Sequence, residues 1–109
     1  MIKKSSILTL AKEIAAAAAK IKAVNLKILN LQKLTSFTDY FVIATGTSDR
    51  HVEAIANNIV EEMKKKGRRP LSVEGYGHAQ WIVIDFGDVV VHVFYHTMRE
   101  IYAIEKIWA

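Results

Sequence analysis

The chain has no cysteine, a single proline and no long apolar run. Without cysteine it can form no disulfide, use no thiolate nucleophile and build no cysteine-ligated zinc site. This absence fits a reducing compartment, and we expect the protein to be cytoplasmic. A transmembrane helix needs about 20 consecutive apolar residues, which the sequence nowhere supplies, so we expect no membrane partner.

The N-terminal segment needs separate treatment, because Lys3-Lys4 and the apolar residues after them resemble a secretory signal peptide. Lys12-Glu13 interrupts the apolar run, and the helical spacing of apolar residues continues as far as Ile21. We therefore predict an amphipathic helix rather than a targeting signal.

The composition is typical of one folded domain. The 109 residues are 51% hydrophobic and 24% charged, and we predict a single domain over residues 1–109. The formal net charge of +4 makes the chain mildly basic. Such a charge is compatible with an ordinary solvated surface and also with a position near nucleic acid.

The stretch Asp39–His51 predicts a strand, a turn and a helix in succession. Tyr40–Ala44 is almost wholly apolar, which is typical of a strand buried on both faces. Gly46 permits a tight turn, and Ser48 is a good N-cap for a helix beginning at Asp49. This unit is the usual start of a crossover between strands.

The other segments complete the order α-β-β-α-β-β-β-α, a mixed α/β (α+β) fold with helices packed on one five-stranded mixed sheet. We predict the further strands at 25–32, 70–74, 81–84 and 89–94, and the outer helices at 7–21 and 97–108. The first two strands should pair antiparallel, with the strand from Tyr40 inside the sheet.

The sequence gives little support for a metal, a cofactor or a catalytic residue. No pair of histidines has the helical spacing of metal ligands, and no cysteine assists them. The turn at Gly46 has one glycine and no following lysine, so Rossmann and Walker loops are excluded, although its amides could still hold an anion. The histidines are His51, His78, His92 and His96.

A nucleotidyltransferase is the enzymatic alternative, because a Gly-Thr-Ser turn before a helix in a mixed sheet also occurs in that class. Those enzymes hold Mg²⁺ with two carboxylates on one strand face. Asp85 and Asp88 flank a predicted hairpin turn instead. The enzymatic interpretation therefore lacks its metal, and we predict a binding protein.

An RNA-binding module is the other alternative, because Lys64–Lys66 are followed by Arg68 and Arg69. The lysines also fall in the last helical turn, where cations interact favourably with the helix dipole. Contact with RNA is therefore left open, as a secondary role.

Trp81 is the most informative single residue, since it begins a strand with Glu74 and Asp85 near in sequence. It could be a half-buried core residue. It could equally anchor a protein interface, where tryptophan is over-represented and acidic neighbours steer a basic partner.

Several ungapped blocks carry a family resemblance. They read DYFVIATGTS at 39–48, HV at 51–52, AIA at 54–56, VEG at 73–75, WIV at 81–83 and DFGDVVVHV at 85–93, followed by Arg99, Tyr102, Glu105 and Trp108. Together they resemble the ribosomal silencing factor family, also called RsfS or Iojap, over about Asn25 to Trp108.

The resemblance implies a nucleotidyltransferase-like fold without that chemistry and without a cofactor. It also implies docking on the large ribosomal subunit through its fourteenth-named protein. Family members docked there prevent the small subunit from joining and lower translation when nutrients are scarce. Carried over by position, the binding surface would include Trp81, Ile82, Glu74, Asp85 and Asp88.

The chain departs from the family pattern before the last predicted helix. Many relatives have acidic residues where this chain has His96 and Thr97. This difference weakens a role for acids at those positions and could change the pH dependence of docking. The resemblance also leaves open whether the free protein forms a homodimer.

Overall fold

The helices and strands follow the predicted order wherever the structure describes the chain. The computed structural model describes residues 4–76 and 80–96. The elements are α1 (Lys4–Lys20), β1 (Val24–Asn30), β2 (Tyr40–Gly46), α2 (Asp49–Lys65), β3 (Ser72–Glu74), β4 (Trp81–Asp85) and β5 (Val89–Tyr95). The helix predicted at 97–108 and the residues His78 and Thr97 lie outside the described ranges.

The strands form one five-stranded mixed sheet in the order β1-β2-β5-β4-β3. The prediction of an antiparallel β1–β2 pair with β2 inside the sheet is confirmed. β2 and β5 are parallel, and β4 is antiparallel to both β5 and β3. These directions make β3 parallel to β2. Helix α2 therefore connects β2 to the far edge of the sheet, past β5 and β4.

The joint between β2 and α2 has the predicted capping chemistry. Ser48 is the N-cap, and its hydroxyl accepts a hydrogen bond from the His51 amide at 3.0 Å. Gly46 allows the helix to approach the strand closely. A Cβ at this position would lie 2.7 Å from Val52 Cγ2 and 2.8 Å from the Val52 nitrogen. A larger residue would therefore push α2 away from the sheet.

One face of the sheet and the two helices enclose an almost entirely aliphatic core. Helix α1 lies over β1 and β2, and α2 lies over β2, β4 and β5. Because strand residues alternate between faces, each inner strand contributes every second side chain. The buried helical residues include Leu10, Ile14, Val52, Ile55, Ile59 and Met63, and those of the strands include Val42, Ala44, Ile82, Ile84, Val91 and Val93.

The end of β1 and the start of β3 differ from prediction for identifiable reasons. β1 ends at Asn30, because Leu31 begins a turn in which its carbonyl accepts hydrogen bonds from the amides of Leu34 and Thr35. β3 begins at Ser72 and not at Pro70, because proline has no amide hydrogen to donate to the ladder. The irregular alternation of β1 reflects a register shift between Val24 and Lys27.

Candidate partner-binding face

The face of the sheet opposite α1 and α2 brings together most of the predicted site residues. Residues paired across neighbouring strands point to the same face. We call this surface the Trp81 face. The strand register arranges its side chains in three rows that run across the strands. The rows are Ser72, Asp85, Val90 and Phe41; Glu74, Val83, His92 and Ile43; and Trp81, Phe94 and Thr45.

Trp81 is held against its neighbours by stacking and by a hydrogen bond. Its ring stacks on Phe94 with centroids 5.0 Å apart and an interplanar angle of 25°. Its indole N–H donates to His92 Nδ1 at 3.1 Å. The side chain is half-buried. The two interpretations of Trp81 are therefore compatible, because the residue packs on the sheet and still presents part of its ring.

His92 is the buried partner of Trp81, and sequence reasoning missed this role. The residue is 6% exposed, and its ring meets the edge of Phe41 with centroids 4.5 Å apart. Because Nδ1 accepts from Trp81, the proton of the neutral imidazole lies on Nε2, which has no hydrogen-bond partner among the described residues. Burial lowers the pKa of His92 from 6.5 to about 4, so the ring is uncharged at neutral pH.

Two of the predicted acids, Glu74 and Asp85, lie on the Trp81 face, and Asp88 lies in the turn beyond Asp85. Glu74 is exposed and pairs with Val83, and Asp85 lies at the end of β4. Asp85 Oδ1 accepts a hydrogen bond from the Gly87 amide at 2.7 Å. Asp88 is exposed in the turn. None of the three forms an ion pair with a described lysine or arginine, so their charges stay available.

Ile82 does not share the surface of the other predicted residues. Its side chain points to the helices and is 0% exposed. It cannot contact a partner in this structure, and it packs instead in the core between β4 and the helices. Asp85 and Asp88 likewise do not form a strand-face pair, since one ends β4 and the other lies in the turn.

Gly75 fixes the entry to the Trp81 face. It has φ 102°, and a Cβ there would overlap the carbonyl oxygen of Trp81. The next residue, Tyr76, donates its hydroxyl proton to Asn57 on α2 at 2.7 Å. Gly75 thus lies close against β4, and Tyr76 is bonded to α2.

Amides of the turn after Gly46 donate hydrogen bonds within the turn itself, which argues against an anion site there. The Thr47 amide donates to His51 Nδ1 at 2.9 Å, and the His51 amide donates to Ser48. With Nδ1 accepting, His51 Nε2 donates to the carbonyl of Ile21 at 2.6 Å. His51 therefore joins the end of α1 to the start of α2.

The basic cluster at the C-terminal end of α2 is partly paired. Lys66 bonds Glu13 on α1, and Lys64 lies 4.0 Å from Glu61. Lys66 is the C-cap, and Gly67 follows with φ 78°, in the left-handed conformation that glycine adopts readily after a helix. These contacts give the lysines a structural role.

Two kinds of site are absent from the parts of the chain that are described. Residues 4–76 and 80–96 contain no group of three histidine or acidic side chains placed to hold a metal ion. None of the helices within those residues is long and apolar enough to span a membrane.

The Trp81 face of this mixed α+β sheet is compatible with a protein-binding surface, because tryptophan is enriched at interface hot spots and the acids form no ion pair among the described residues. Comparison with known proteins specifies the family. The profile of the family described as "Ribosomal silencing factor during starvation" matches residues 4–109. The chain belongs to this ribosomal silencing factor (RsfS) family.

Individual relatives agree with this assignment. The chain is 40% identical over 97 residues to the ribosomal silencing factor RsfS of Bacillus subtilis, covering 88% of this chain and 82% of that protein. It is 37% identical over 75 residues to the mouse protein named "Mitochondrial assembly of ribosomal large subunit protein 1", covering 66% of this chain and 33% of the mouse protein. A crystal structure of a Chromobacterium violaceum protein superposes with a TM-score of 0.88 at 36% identity, covering 98% of this chain and 87% of that one.

Proposed function

We propose that this silencing factor acts by docking its Trp81 face on the large ribosomal subunit and so prevents the small subunit from joining. The single observation that carries the proposal is the Trp81 face itself. There an aromatic residue held by Phe94 and His92 shares the surface with acids that form no ion pair with any described residue. One relative supports the choice of subunit, because the name of the mouse protein refers to assembly of the ribosomal large subunit.

The contacts of Trp81 define what it offers to a partner. The indole N–H is directed to His92, so the available part of the residue is chiefly apolar ring surface. Apolar burial at the centre with charge pairs around it is the arrangement that best offsets the entropy lost on association. Glu74, Asp85 and Asp88 would supply those charge pairs to a basic partner.

The partner within the subunit is proposed to be its fourteenth-named protein, as the family resemblance implies. Silencing then requires no chemistry, because a protein bound on the intersubunit face occupies space that the small subunit needs. Action on ribosomes would place the protein in the cytoplasm, with RNA contact secondary to the protein interface.

Sedimentation with purified ribosomal subunits tests this function. We expect the protein to migrate with large subunits, to be absent from small subunits, and to reduce the yield of joined ribosomes when small subunits are added. Migration with both subunits alike, or joined ribosomes that retain the protein, would contradict the proposed mechanism.

The same reasoning predicts no nucleotidyl transfer. Asp85 is engaged by the Gly87 amide and has no second carboxylate beside it on β4 to complete a Mg²⁺ pair. Incubation with nucleoside triphosphates, Mg²⁺ and RNA should give no transfer product. Turnover that Asp85→Asn abolishes would restore the enzymatic alternative.

A further inference from the structure

An apolar groove lies on the Trp81 face, and Phe41, Asp85 and His92 are among the residues that line it. It encloses about 470 Å³ between the chain segment 35–38 and the β4–β5 turn. Its described lining residues are mostly apolar, and no lysine or arginine is among them. They are Thr35, Phe37, Thr38, Phe41, Leu71, Asp85, Gly87, Val90 and His92.

Backbone hydrogen bonds fix both walls of the groove. The amides of Asp39 and Tyr40 donate to the carbonyl of Asp88 at 2.9 and 3.1 Å, which ties the 35–38 segment to the turn. The amide of Leu71 donates to the carbonyl of Asp85 at 2.7 Å. The groove is therefore a built feature of the fold and not a gap between independent loops.

The rim exposes large apolar side chains that contribute little to the core. Phe37 is 92% exposed and Leu71 is 75% exposed. Both belong to the same groove, and an apolar pair at the rim of a concave site is more informative than isolated exposed residues.

Charge decides which occupant fits. Asp85 is the only described acid lining the groove, and the Gly87 amide occupies one of its two carboxylate oxygens. Glu74 and Asp88 add negative charge nearby, although the whole chain is net positive at +4. The floor contributes no opposing charge, since His92 is neutral at physiological pH.

We propose that this groove receives the side chain of one lysine or arginine from a basic segment of the docking partner. The aliphatic stem lies along Phe41, Val90 and the rim, and the cationic end lies beside Asp85. Long basic side chains bury their stems on apolar surfaces while the charge meets an acid or water. The identity of the partner rests on the proposed function, whereas the chemistry of the groove does not.

A small probe tests the groove without any ribosome. In an NMR titration with n-butylguanidinium chloride, we expect saturable shifts of the amides of Gly87, Val90 and His92. Asp85→Asn keeps an oxygen for the Gly87 amide but removes the charge, and it should weaken binding about fivefold. Glu61→Gln, on the exposed side of α2, should leave the affinity unchanged. Equal affinity in Asp85→Asn, no saturable shift, or equal binding of neutral n-butanol would overturn the inference.

A matched pair of variants then tests the groove in docking. Phe37→Ser should weaken affinity for purified large subunits about tenfold. Leu34→Ser changes a residue that is 58% exposed in the same loop but does not line the groove, and it should stay within about twofold. If the parent protein binds large subunits, and Phe37→Ser binds them as tightly as Leu34→Ser does, the proposed role of the groove in docking is wrong. If the parent protein does not bind large subunits, the proposed function is wrong. The NMR titration still tests whether the groove binds a basic side chain.

Discussion

The two faces of the sheet are built from different chemistry. The face under α1 and α2 is almost wholly aliphatic, with Ile82, Ile84 and Val91 fully buried against the helices. The Trp81 face is aromatic and polar, and it includes a buried histidine nitrogen without a described partner. Aliphatic packing stabilises a fold without polar cost, whereas a buried donor left unpaired costs about 1–3 kcal/mol.

The difference separates the tasks of the two faces. Stability resides mainly under the helices, which frees the other face to keep features that a core optimised for stability would avoid. A stacked tryptophan, a neutral buried histidine, and the acids Glu74 and Asp85, which have no ion pair among the described residues, are such features. Substitutions of buried residues, such as Ile82 on the first face or Phe94 on the second, should therefore change unfolding, whereas substitutions of the exposed side chains of the Trp81 face should change mainly binding.

The largest expected effect is that of Ile82→Ala. Removing a fully buried isoleucine side chain should lower the free energy of unfolding by about 2–5 kcal/mol in chemical denaturation. Val83→Ala is the matched control, since Val83 is the next residue on β4 and only partly buried; about 1 kcal/mol is expected. If Ile82→Ala kept its stability but lost docking, Ile82 would be a direct contact after all.

Acid should lower the free energy of unfolding, because His92 takes up a proton when the protein unfolds. The unfolded chain takes up a proton near pH 6.5, but burial holds the pKa of His92 in the folded protein at about 4. Unfolding therefore binds a proton between these values, so stability falls with falling pH in that window. The loss from this group should reach ~3 kcal/mol at pH 4 and level off just below that pH.

Denaturation curves from pH 7.5 to 4 measure this effect. His92→Gln should show a smaller decline than the parent, because its side chain takes up no proton. Identical declines in the two proteins would assign the acid sensitivity to carboxylates elsewhere.

Trp81→Ala should affect docking more than folding. We expect a loss of about 2 kcal/mol or more in affinity for the large subunit, because a central aromatic contact is removed. Trp81→Phe keeps an aromatic ring for Phe94 but loses the hydrogen bond to His92, so its affinity should be intermediate. Melting curves of both variants serve as the control. A melt far below the parent, with docking unchanged per folded molecule, would make Trp81 a core residue only.

The smallest effect should come from charge at the edge of the Trp81 face. Glu74→Lys should lower affinity by about 1 kcal/mol or less, mainly by slowing association at low salt. Glu61→Lys makes the same charge change on α2 and should leave the association rate nearly unchanged. Equal slowing in both variants would indicate an effect of net charge and not of this face.

Local patterns made much of the fold predictable. The apolar run of β2 and the Ser48 cap of α2 each act over a few residues, and both appear as expected. Strand ends were less certain, because hydrogen bonds of the turn at Leu31 compete with extension of β1.

The site was only partly predictable, because it depends on register. Trp81 and Ile82 were grouped as neighbours in one motif, yet consecutive strand residues face opposite sides, and this alternation could have separated them. The contact of His92 with Trp81 requires the β4–β5 pairing. The groove joins residue 37 to residues 71 and 85, and no local pattern indicates that combination.

The parallel pairing of β2 with β5 has a consequence for synthesis of the chain. Tyr40 is paired with Val89 and Gly46 with Tyr95, so β2 receives its second neighbour only when the chain has been made as far as β5. Until then β2 has one bare, apolar edge, which is prone to pairing with other chains. We expect nascent chains stopped before Val89 to need chaperone protection, whereas chains that include β5 close the sheet themselves.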